Sequence, residues 1–363
     1  MSRFLLSGLV EGQNRRTLHL AGNHCCVRAV GFGGTMLHDK FGREIHDLRI
    51  SVTDRCNFSC VYCKSADPKN YVPHRDLLTW EEFLRLSRVL VGLGIRKIRV
   101  TGGEPLLREG VVDFIAGLRA IDGLADVAVT TNGYLLPEMA RELAAAGAPR
   151  VTVSLDSMNP EKFTRITRTP RSYEKVMAGI DAALEAGLRP VKVNIVLVRG
   201  FNDDEIVEFA RLARRRDIAV RFIEFMPLDA DHAWKRALVV TAREIVDAIQ
   251  PVFPLEAIPR HSPSETALRY RFADGKGELG IIAPVSIPFC GQCSRIRLTA
   301  DGKLRTCLFS LHEHDVRHLV RNGSTDHDIA RFMEKVVHQK EPGHRINEPD
   351  FVQPSRTMVY IGG

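Results

Sequence analysis

Six short, nearly continuous apolar segments recur along this chain, and a helix-like segment follows each of them. They lie at 48–53, 97–101, 126–131, 150–155, 191–198 and 220–226. Strands that are apolar on both faces are typical of a parallel sheet covered by helices. Because successive strand–helix units need right-handed crossovers, the sequence predicts an α/β fold with a parallel sheet, curled or open.

The ends of several helices can also be read. Thr79 and Glu82 have the spacing of a capping box at the start of a helix. Pro137 is suited to begin a helix that Gly147 ends. Residues 203–216 carry acids in the first turn and arginines in the last, which matches the helix dipole.

The alternation stops near residue 255, where Pro, Gly and Ser become frequent. We therefore expect an N-terminal extension over 1–38 that is poorly ordered, a main strand–helix domain over 39–255 and a smaller irregular module over 256–345. Residues 346–363 form a tail that ends in Gly-Gly. Met36 is an alternative start to Met1.

Composition limits the class of protein. The chain has 363 residues, of which 44% are hydrophobic, and a formal charge of +7. No apolar run is long enough to span a bilayer, and no secretory signal is evident, so a cytoplasmic location is expected. The positive charge suits a nucleic acid or a phosphorylated small molecule, although a solvated basic surface explains it equally well.

Six of the eight cysteines form two triplets. The first has the pattern Cys-x3-Cys-x2-Cys directly after the first strand, and the second has the pattern Cys-x2-Cys-x13-Cys. Their members are Cys56, Cys60 and Cys63, and Cys290, Cys293 and Cys307. Clustered thiols without a secretion signal favour metal binding over disulfides. The adjacent pair Cys25 and Cys26 has poor chelate geometry and is interpreted as incidental.

Three thiolates suit an iron–sulfur cluster better than zinc. Zinc seeks a fourth Cys or His, and residues 64–73 contain neither. A [4Fe–4S] cluster can be held by three thiolates, which leaves one iron open to a small molecule. For the second triplet, zinc completed by His312 or His314 remains an alternative.

The first triplet, with Tyr62 before its last cysteine, resembles the signature of the radical S-adenosylmethionine (SAM) superfamily. The segment TGGEP, 101–105, resembles that superfamily's motif for the methionine moiety of SAM. The resemblance implies a partial (β/α)6 TIM-like barrel with a [4Fe–4S] cluster. It also implies SAM as the source of a 5′-deoxyadenosyl radical.

A narrower resemblance covers the chain from about residue 36 to its end. The second triplet, the segment RIRL at 295–298, the segment 41–63 and the terminal YIGG together resemble the GTP 3′,8-cyclase family of molybdenum cofactor biosynthesis. This implies a lyase that converts GTP to (8S)-3′,8-cyclo-7,8-dihydroguanosine 5′-triphosphate. In that reaction the 5′-deoxyadenosyl radical abstracts the ribose 3′ hydrogen.

The resemblance also implies roles for individual residues. The first triplet would hold the cluster that binds SAM, and the second would hold an auxiliary [4Fe–4S] cluster that meets the guanine. SAM would contact Tyr62, Gly102, Gly103, Glu104, Thr130, Asn132, Ser154, Lys192 and Met226. GTP would contact Arg49, Lys97, Arg99, Arg221, Arg295 and Arg297. Beside the first triplet, the implied catalytic residues are Arg49, Arg99, Gly362 and Gly363. Lys64 departs from the family, in which Met is common at this position.

The residues themselves support an anion site. Lys97 and Arg99 are two apart on one strand and therefore share a face, as do Arg295 and Arg297. Cations on a buried strand need an acid or an anion as partner, and guanidinium groups suit a triphosphate. Local salt bridges are the alternative, with Asp156 and Glu224 as the expected acids.

Two other functions remain open at this point. One is a radical SAM enzyme that modifies a peptide and carries an auxiliary cluster. The other is a non-catalytic zinc-binding or nucleic-acid-binding protein. For the cyclase, the expected partners are GTP, a one-electron donor and a downstream cyclic pyranopterin monophosphate synthase, with no nucleic acid and no membrane. A monomer or a homodimer is expected.

Overall fold

The computed structural model describes residues 36–66 and 71–362. The expectations for residues 1–35, including Cys25, Cys26 and the start site, concern positions outside these ranges, as does the expectation for Gly363.

Strands and helices alternate through the first part of the described chain. The strands are β1 (Asp47–Ser51), β2 (Lys97–Thr101), β3 (Asp126–Thr131), β4 (Arg150–Ser154), β5 (Val191–Leu197), β6 (Ile218–Glu224), β7 (Leu255–Ile258), β8 (Ala267–Phe272), β9 (Glu278–Ile282), β10 (Arg295–Leu298), β11 (Lys303–Arg305) and β12 (His314–Asp315). The helices are α1 (Trp80–Gly92), α2 (Val111–Arg119), α3 (Leu136–Ala145), α4 (Pro160–Thr167), α5 (Tyr173–Glu185), α6 (Ile206–Arg215), α7 (Ala242–Ile249), α8 (Arg317–Arg321), α9 (Asp326–His338) and α10 (Met358–Ile361).

The strands β1 to β6 pair in sequence order, and every pairing is parallel. This confirms the predicted α/β class with a parallel sheet. One face of β5 and β6 is largely apolar and buried, whereas the residues of the other face, such as Asn194 and Arg221, are only partly buried and line a cavity. None of the helices in the described ranges combines the length and the hydrophobicity that a bilayer-spanning helix needs.

The helix ends follow the local signals. Thr79 and Glu82 form both hydrogen bonds of a capping box at the start of α1. Pro137 lies in the first turn of α3, and Gly147 follows that helix with a φ of 83°. A positive φ favours glycine, so this residue ends the helix where the sequence predicts.

The C-terminal strands extend the same sheet at both edges. Strand β10 pairs in parallel with β1, and β9 pairs in parallel with β6. Antiparallel strands then continue outward, β11 and β12 on one side and β8 and β7 on the other. The C-terminal part of the chain therefore contributes directly to the sheet that carries the site, while the expected boundary near residue 255 stays a prediction.

Candidate active site

A cavity of about 280 Å³ opens among the strands, and both cysteine triplets line it. Five of the implied GTP contacts, Arg49, Arg99, Arg221, Arg295 and Arg297, line it as well. Residues separated by more than 200 positions in sequence thus meet in one place because β10 lies beside β1. This is the setting that both clusters and a nucleotide would share.

The first triplet lies in the loop that follows β1. The backbone N–H groups of Cys63 and Lys64 both donate to the Cys60 carbonyl, at 2.9 and 3.0 Å, so the loop is a tight turn. The buried Lys64 ammonium donates to the Cys56 carbonyl at 3.1 Å and joins the two ends of the turn. Lys64, which stands where Met is common in the family, therefore stabilises the loop through this hydrogen bond.

Burial dominates the chemistry of these thiols. It raises the pKa of Cys56 to about 11, and the nearby Glu104 carboxylate adds to the effect. Burial also raises the pKa of Cys60 and of Cys63, and charge on the neighbouring thiols raises both further. The three thiols are therefore close enough to act on one another, as ligands of one cluster must be.

The Gly-Gly pair after β2 lets the backbone approach the thiol loop. Gly103 donates its N–H to the Thr53 carbonyl at 2.6 Å. A Cβ atom on Gly103 would lie 2.3 Å from the Arg55 carbonyl oxygen, so only glycine fits. On Gly102, which has a φ of 157°, a Cβ would lie 2.6 Å from the Thr53 carbonyl oxygen. The motif is thus required by packing against the loop.

Glu104 is fully buried and joins two strand ends. Its carboxylate accepts hydrogen bonds from the Thr131 hydroxyl at 2.7 Å and from the N–H groups of Asn132 and Leu106 at 2.6 and 3.0 Å. Burial nevertheless raises its pKa to about 7. Asn132, held in this way, donates its amide to Asn57 at 2.7 Å and reaches the Cys56 sulfur at 3.8 Å.

Asp156 and Glu224 do not pair with arginines, so that expectation is wrong. Asp156 accepts from the Tyr62 hydroxyl at 2.6 Å and from the Val196 N–H at 2.8 Å. Glu224 accepts from the N–H groups of Ala242, Val285 and Ser286. Both acids accept from backbone N–H groups near strand ends, and neither forms a salt bridge with an arginine among the described residues.

Three arginines form a row across the sheet. Arg297 on β10 is in register with Arg49 on β1, which is in register with Arg99 on β2. Like charges at directly opposite positions of neighbouring strands destabilise a sheet. Burial, and then Arg99, lowers the pKa of Arg49 to about 9, while burial, and then Arg221, lowers the pKa of Arg99 to about 9.

The hydrogen-bond partners of these cations are neutral. Arg99 donates to the hydroxyls of Thr130 and Thr152 at 3.1 and 3.2 Å. Arg221 donates to the Asn194 side-chain oxygen at 3.0 Å and to the same Thr152 hydroxyl at 3.3 Å. Among the described residues, no carboxylate forms a salt bridge with Arg49, Arg99, Arg221, Arg295 or Arg297. These five arginines therefore have no carboxylate partner among the described residues, although Asp156 and Glu224 also line the cavity.

The remaining implied residues differ in whether they line the cavity. Tyr62, Gly102, Gly103, Thr130, Asn132, Ser154 and Met226 line the cavity. Lys192 is not a lining residue, but burial, and then Arg221, lowers its pKa to about 8. Lys97 is exposed at the start of β2 and is outside the lining. The Gly362 carbonyl accepts a hydrogen bond from Arg297, which ties the C-terminal tail to the row of arginines.

The second triplet has cationic neighbours. Arg43 forms a buried salt bridge with Asp39 and donates to the Cys290 carbonyl at 2.8 Å. The Lys340 ammonium is 2% exposed and donates to the Arg295 carbonyl at 2.9 Å. His344 lines the cavity, and its ring packs edge-on against Phe309. Sequence reasoning missed these three side chains, because no local pattern links them to the cysteines.

The donor sets fit clusters better than single ions. All six thiols are free. Within residues 36–66 and 71–362, no group of three or more His, Cys, Asp or Glu side chains is placed to hold one metal ion. The three thiols of each triplet line one cavity, and three thiolates with one open iron are a ligand set that a [4Fe–4S] cluster can take. His312 and His314, the alternative zinc ligands, are not among the residues that line this cavity.

Comparison with known proteins agrees with this geometry. Residues 50–213 match the Radical SAM superfamily, and residues 218–346 match the family Molybdenum Cofactor Synthesis C. The GTP 3′,8-cyclase of Thermodesulfovibrio yellowstonii is 43% identical over 332 residues, which cover 90% of this chain and 100% of the relative. The GTP 3′,8-cyclase of Streptomyces coelicolor is 44% identical over 333 residues, covering 91% of this chain and 97% of the relative.

A solved structure is similar in fold. Streptococcus suis SuiB bound to S-adenosylmethionine superposes with a TM-score of 0.59 over 90% of this chain and 78% of that chain. The two sequences are 12% identical, so the likeness concerns the fold alone.

Proposed function

Because this chain belongs to the GTP 3′,8-cyclase family of radical SAM enzymes, we propose that the cavity between its two cysteine triplets is where its residues cyclise GTP. The enzyme is a lyase of molybdenum cofactor biosynthesis, with a [4Fe–4S] cluster and SAM as cofactors. The roles of individual residues and a second cluster are part of the proposal.

The first triplet would hold the cluster, and its surroundings would hold SAM. When bound, the cluster and SAM supply the 5′-deoxyadenosyl radical that abstracts the ribose 3′ hydrogen of GTP. Cys56, Cys60 and Cys63 are the ligands. Gly102 and Gly103 form a side-chain-free wall against the thiol loop, which leaves room for the methionine moiety. The hydrogen bond from Tyr62 to Asp156 fixes the aromatic ring between two ligands.

The second triplet would hold the auxiliary cluster and the guanine. Its three free thiols line the same cavity as the first triplet: Cys290 and Cys293 lie just before β10, and Cys307 lies just after β11. As in the first triplet, three protein ligands leave one iron for a small molecule. Guanine offers ring nitrogen and oxygen donors for that position.

The row of arginines would bind the triphosphate, and this is the observation that supports the proposal most strongly. Several guanidinium groups line one cavity with neutral partners, and their pKa values are lowered by burial and mutual repulsion. A bound anion would offset both the cost of burying these charges and the repulsion between them. A triphosphate matches the planar donor geometry of guanidinium groups, and its binding there would fix the position of the attached ribose in the cavity.

Placement is the main task of the protein. The cations orient the phosphates, and the apolar and glycine walls exclude water from the reacting carbon. Arg297 binds the Gly362 carbonyl, so the tail lies beside the same arginines. We propose that Gly362 completes this wall.

The partners follow from the reaction. A one-electron donor must reduce the first cluster, and cyclic pyranopterin monophosphate synthase would consume the product. The free thiols suit a reducing compartment, so a cytoplasmic location is part of the proposal. A peptide substrate is disfavoured, because the basic row calls for a compact polyanion.

The test uses GTP that carries deuterium at the ribose 3′ position. Anaerobically reconstituted protein is reduced with dithionite in the presence of SAM, and 5′-deoxyadenosine is analysed by mass spectrometry. We expect deuterium in 5′-deoxyadenosine and a cyclised product. The Cys56→Ala variant should abolish deoxyadenosine formation. Deoxyadenosine that forms without deuterium, and without consumption of GTP, would contradict the proposal.

A further inference from the structure

Lys340 is a buried cation beside the second cysteine triplet. It follows α9, is 2% exposed, and lines the cavity. Its ammonium donates to the Arg295 carbonyl at 2.9 Å and to the Thr306 carbonyl. Arg295 lies two residues after Cys293, and Thr306 directly precedes Cys307. The charge is therefore anchored between the two segments that carry these thiols.

This ammonium has no carboxylate partner in the part of the chain that the structure describes. Two carbonyls satisfy two of its donors, but they do not neutralise its charge. Glu341 is the next residue, and its carboxylate accepts from the Thr306 hydroxyl at 2.6 Å rather than forming a salt bridge with Lys340. A buried charge is costly unless it is paired, so a counter-charge is expected from what the site binds.

The two triplets differ in the charged groups that contact their loops. The first has the buried ammonium of Lys64 on the Cys56 carbonyl, together with the buried carboxylates of Glu104 and Asp156. The second has two cations on its backbone carbonyls, Arg43 and Lys340. Arg43 is already paired with Asp39, so Lys340 is the one of these two cations that lacks a carboxylate partner within the described ranges.

We propose that Lys340 is a positioning residue that supplies the buried counter-charge of the auxiliary iron–sulfur cluster. The inference rests on the proposed function, since it requires a cluster at the second triplet. Three thiolates around a [4Fe–4S] core make an anion, and reduction adds a further negative charge. A fixed cation held beside the thiol-bearing segments stabilises the bound cluster and its reduced form, so it slows iron loss and raises the reduction potential.

The test isolates the second triplet in the full chain. Cys56, Cys60 and Cys63 are all replaced by Ala, so that the remaining iron belongs to the second triplet. On this background, Lys340→Gln removes the charge but keeps amide donors, and Lys340→Met removes both. Lys335→Met is the matched control, because Lys335 is exposed on α9, the helix that Lys340 follows. Iron retention against a chelator, the midpoint potential and denaturant unfolding are measured.

We expect both Lys340 variants to lose iron at least about tenfold faster than the Lys335 control, because a buried pair is broken. The midpoint potential should shift to more negative values. In denaturant, the variants should be destabilised relative to the control only when reconstituted with iron. If Lys340 only joined the two segments through its hydrogen bonds, its replacement would destabilise the iron-free and the reconstituted protein equally.

The outcomes separate the inference from the proposed function. If the background protein with Lys340 intact takes up no iron, the auxiliary cluster fails and the inference fails with it. If that protein binds iron, but Lys340→Gln matches Lys335→Met in iron retention and potential, only the role of Lys340 is overturned. Restored retention in Lys340→Arg would support the charge as the cause.

Discussion

Replacing Arg99 with Met should have opposite effects on the free enzyme and on its affinity for GTP. Arg99 and Arg221 donate to the same Thr152 hydroxyl at 3.2 and 3.3 Å. At a separation of roughly 6 Å and an effective dielectric constant of about 20, two unit charges repel by about 3 kcal/mol. The two hydrogen bonds that Arg99 donates to threonines contribute about 1 kcal/mol each.

The balance leaves the nucleotide-free variant as stable as the wild type, or more stable by about 1 kcal/mol. GTP affinity should fall by about 10-fold to 100-fold, because a charge-assisted contact worth about 1.5–3 kcal/mol is lost. Denaturant unfolding without nucleotide measures the first quantity, and anaerobic equilibrium dialysis with GTP measures the second. Arg243→Met, at a side chain that is 90% exposed on α7, is the matched control. The reasoning is refuted if Arg99→Met lowers the stability by more than 1–2 kcal/mol and leaves the GTP affinity unchanged.

Three further substitutions test the first cluster's surroundings. Gly103→Ala should destabilise the protein by about 1–3 kcal/mol and impair iron uptake, because the new Cβ would lie 2.3 Å from a backbone carbonyl oxygen. Gly291→Ala is the control: a Cβ there would have no atom within 4 Å, so unfolding should hardly change. Glu104→Gln should cost about 1–3 kcal/mol in denaturant unfolding, since an amide places donors against N–H donors. Tyr62→Phe removes the 2.6 Å hydrogen bond to Asp156 and should weaken SAM binding about tenfold by dialysis.

Each of these predictions has a contrary result. If Gly103→Ala and Gly291→Ala unfold at the same denaturant concentration, the close backbone approach is not required. If Glu104→Gln is as stable as Glu185→Gln, a control at an exposed position of α5, the buried carboxylate is replaceable. If Tyr62→Phe keeps its affinity for SAM, the ring needs no hydrogen bond to stay in place.

The local parts of the fold were predictable from sequence. Strands β2 and β3 span the predicted residues, because β-branched runs between turn signals leave few alternatives. Strand β6 begins at Ile218, two residues before the predicted segment, and ends at Glu224. The capping box at Thr79 is equally local. These features depend on neighbours in sequence, which a single sequence displays.

Long-range contacts were not predictable. Nothing in the segment RIRL shows that β10 pairs with β1, so the register of Arg297 with Arg49 could not be derived from spacing. The strand-end positions of Asp156 and Glu224 make them candidate partners of the arginines, but these carboxylates accept from nearby N–H donors instead. Lys340 carried no signal at all, since its burial depends on a packed neighbour distant in sequence.

The placement of β10 beside β1 has a consequence for how the chain matures. The first strand leaves the ribosome with one edge unpaired, and nearly 250 residues must be translated before its neighbour exists. An uncovered parallel edge is prone to aggregation, so a chaperone or a slow search is expected to accompany synthesis. If the second triplet holds a cluster, as proposed, that cluster can form only after this late part of the chain has been made.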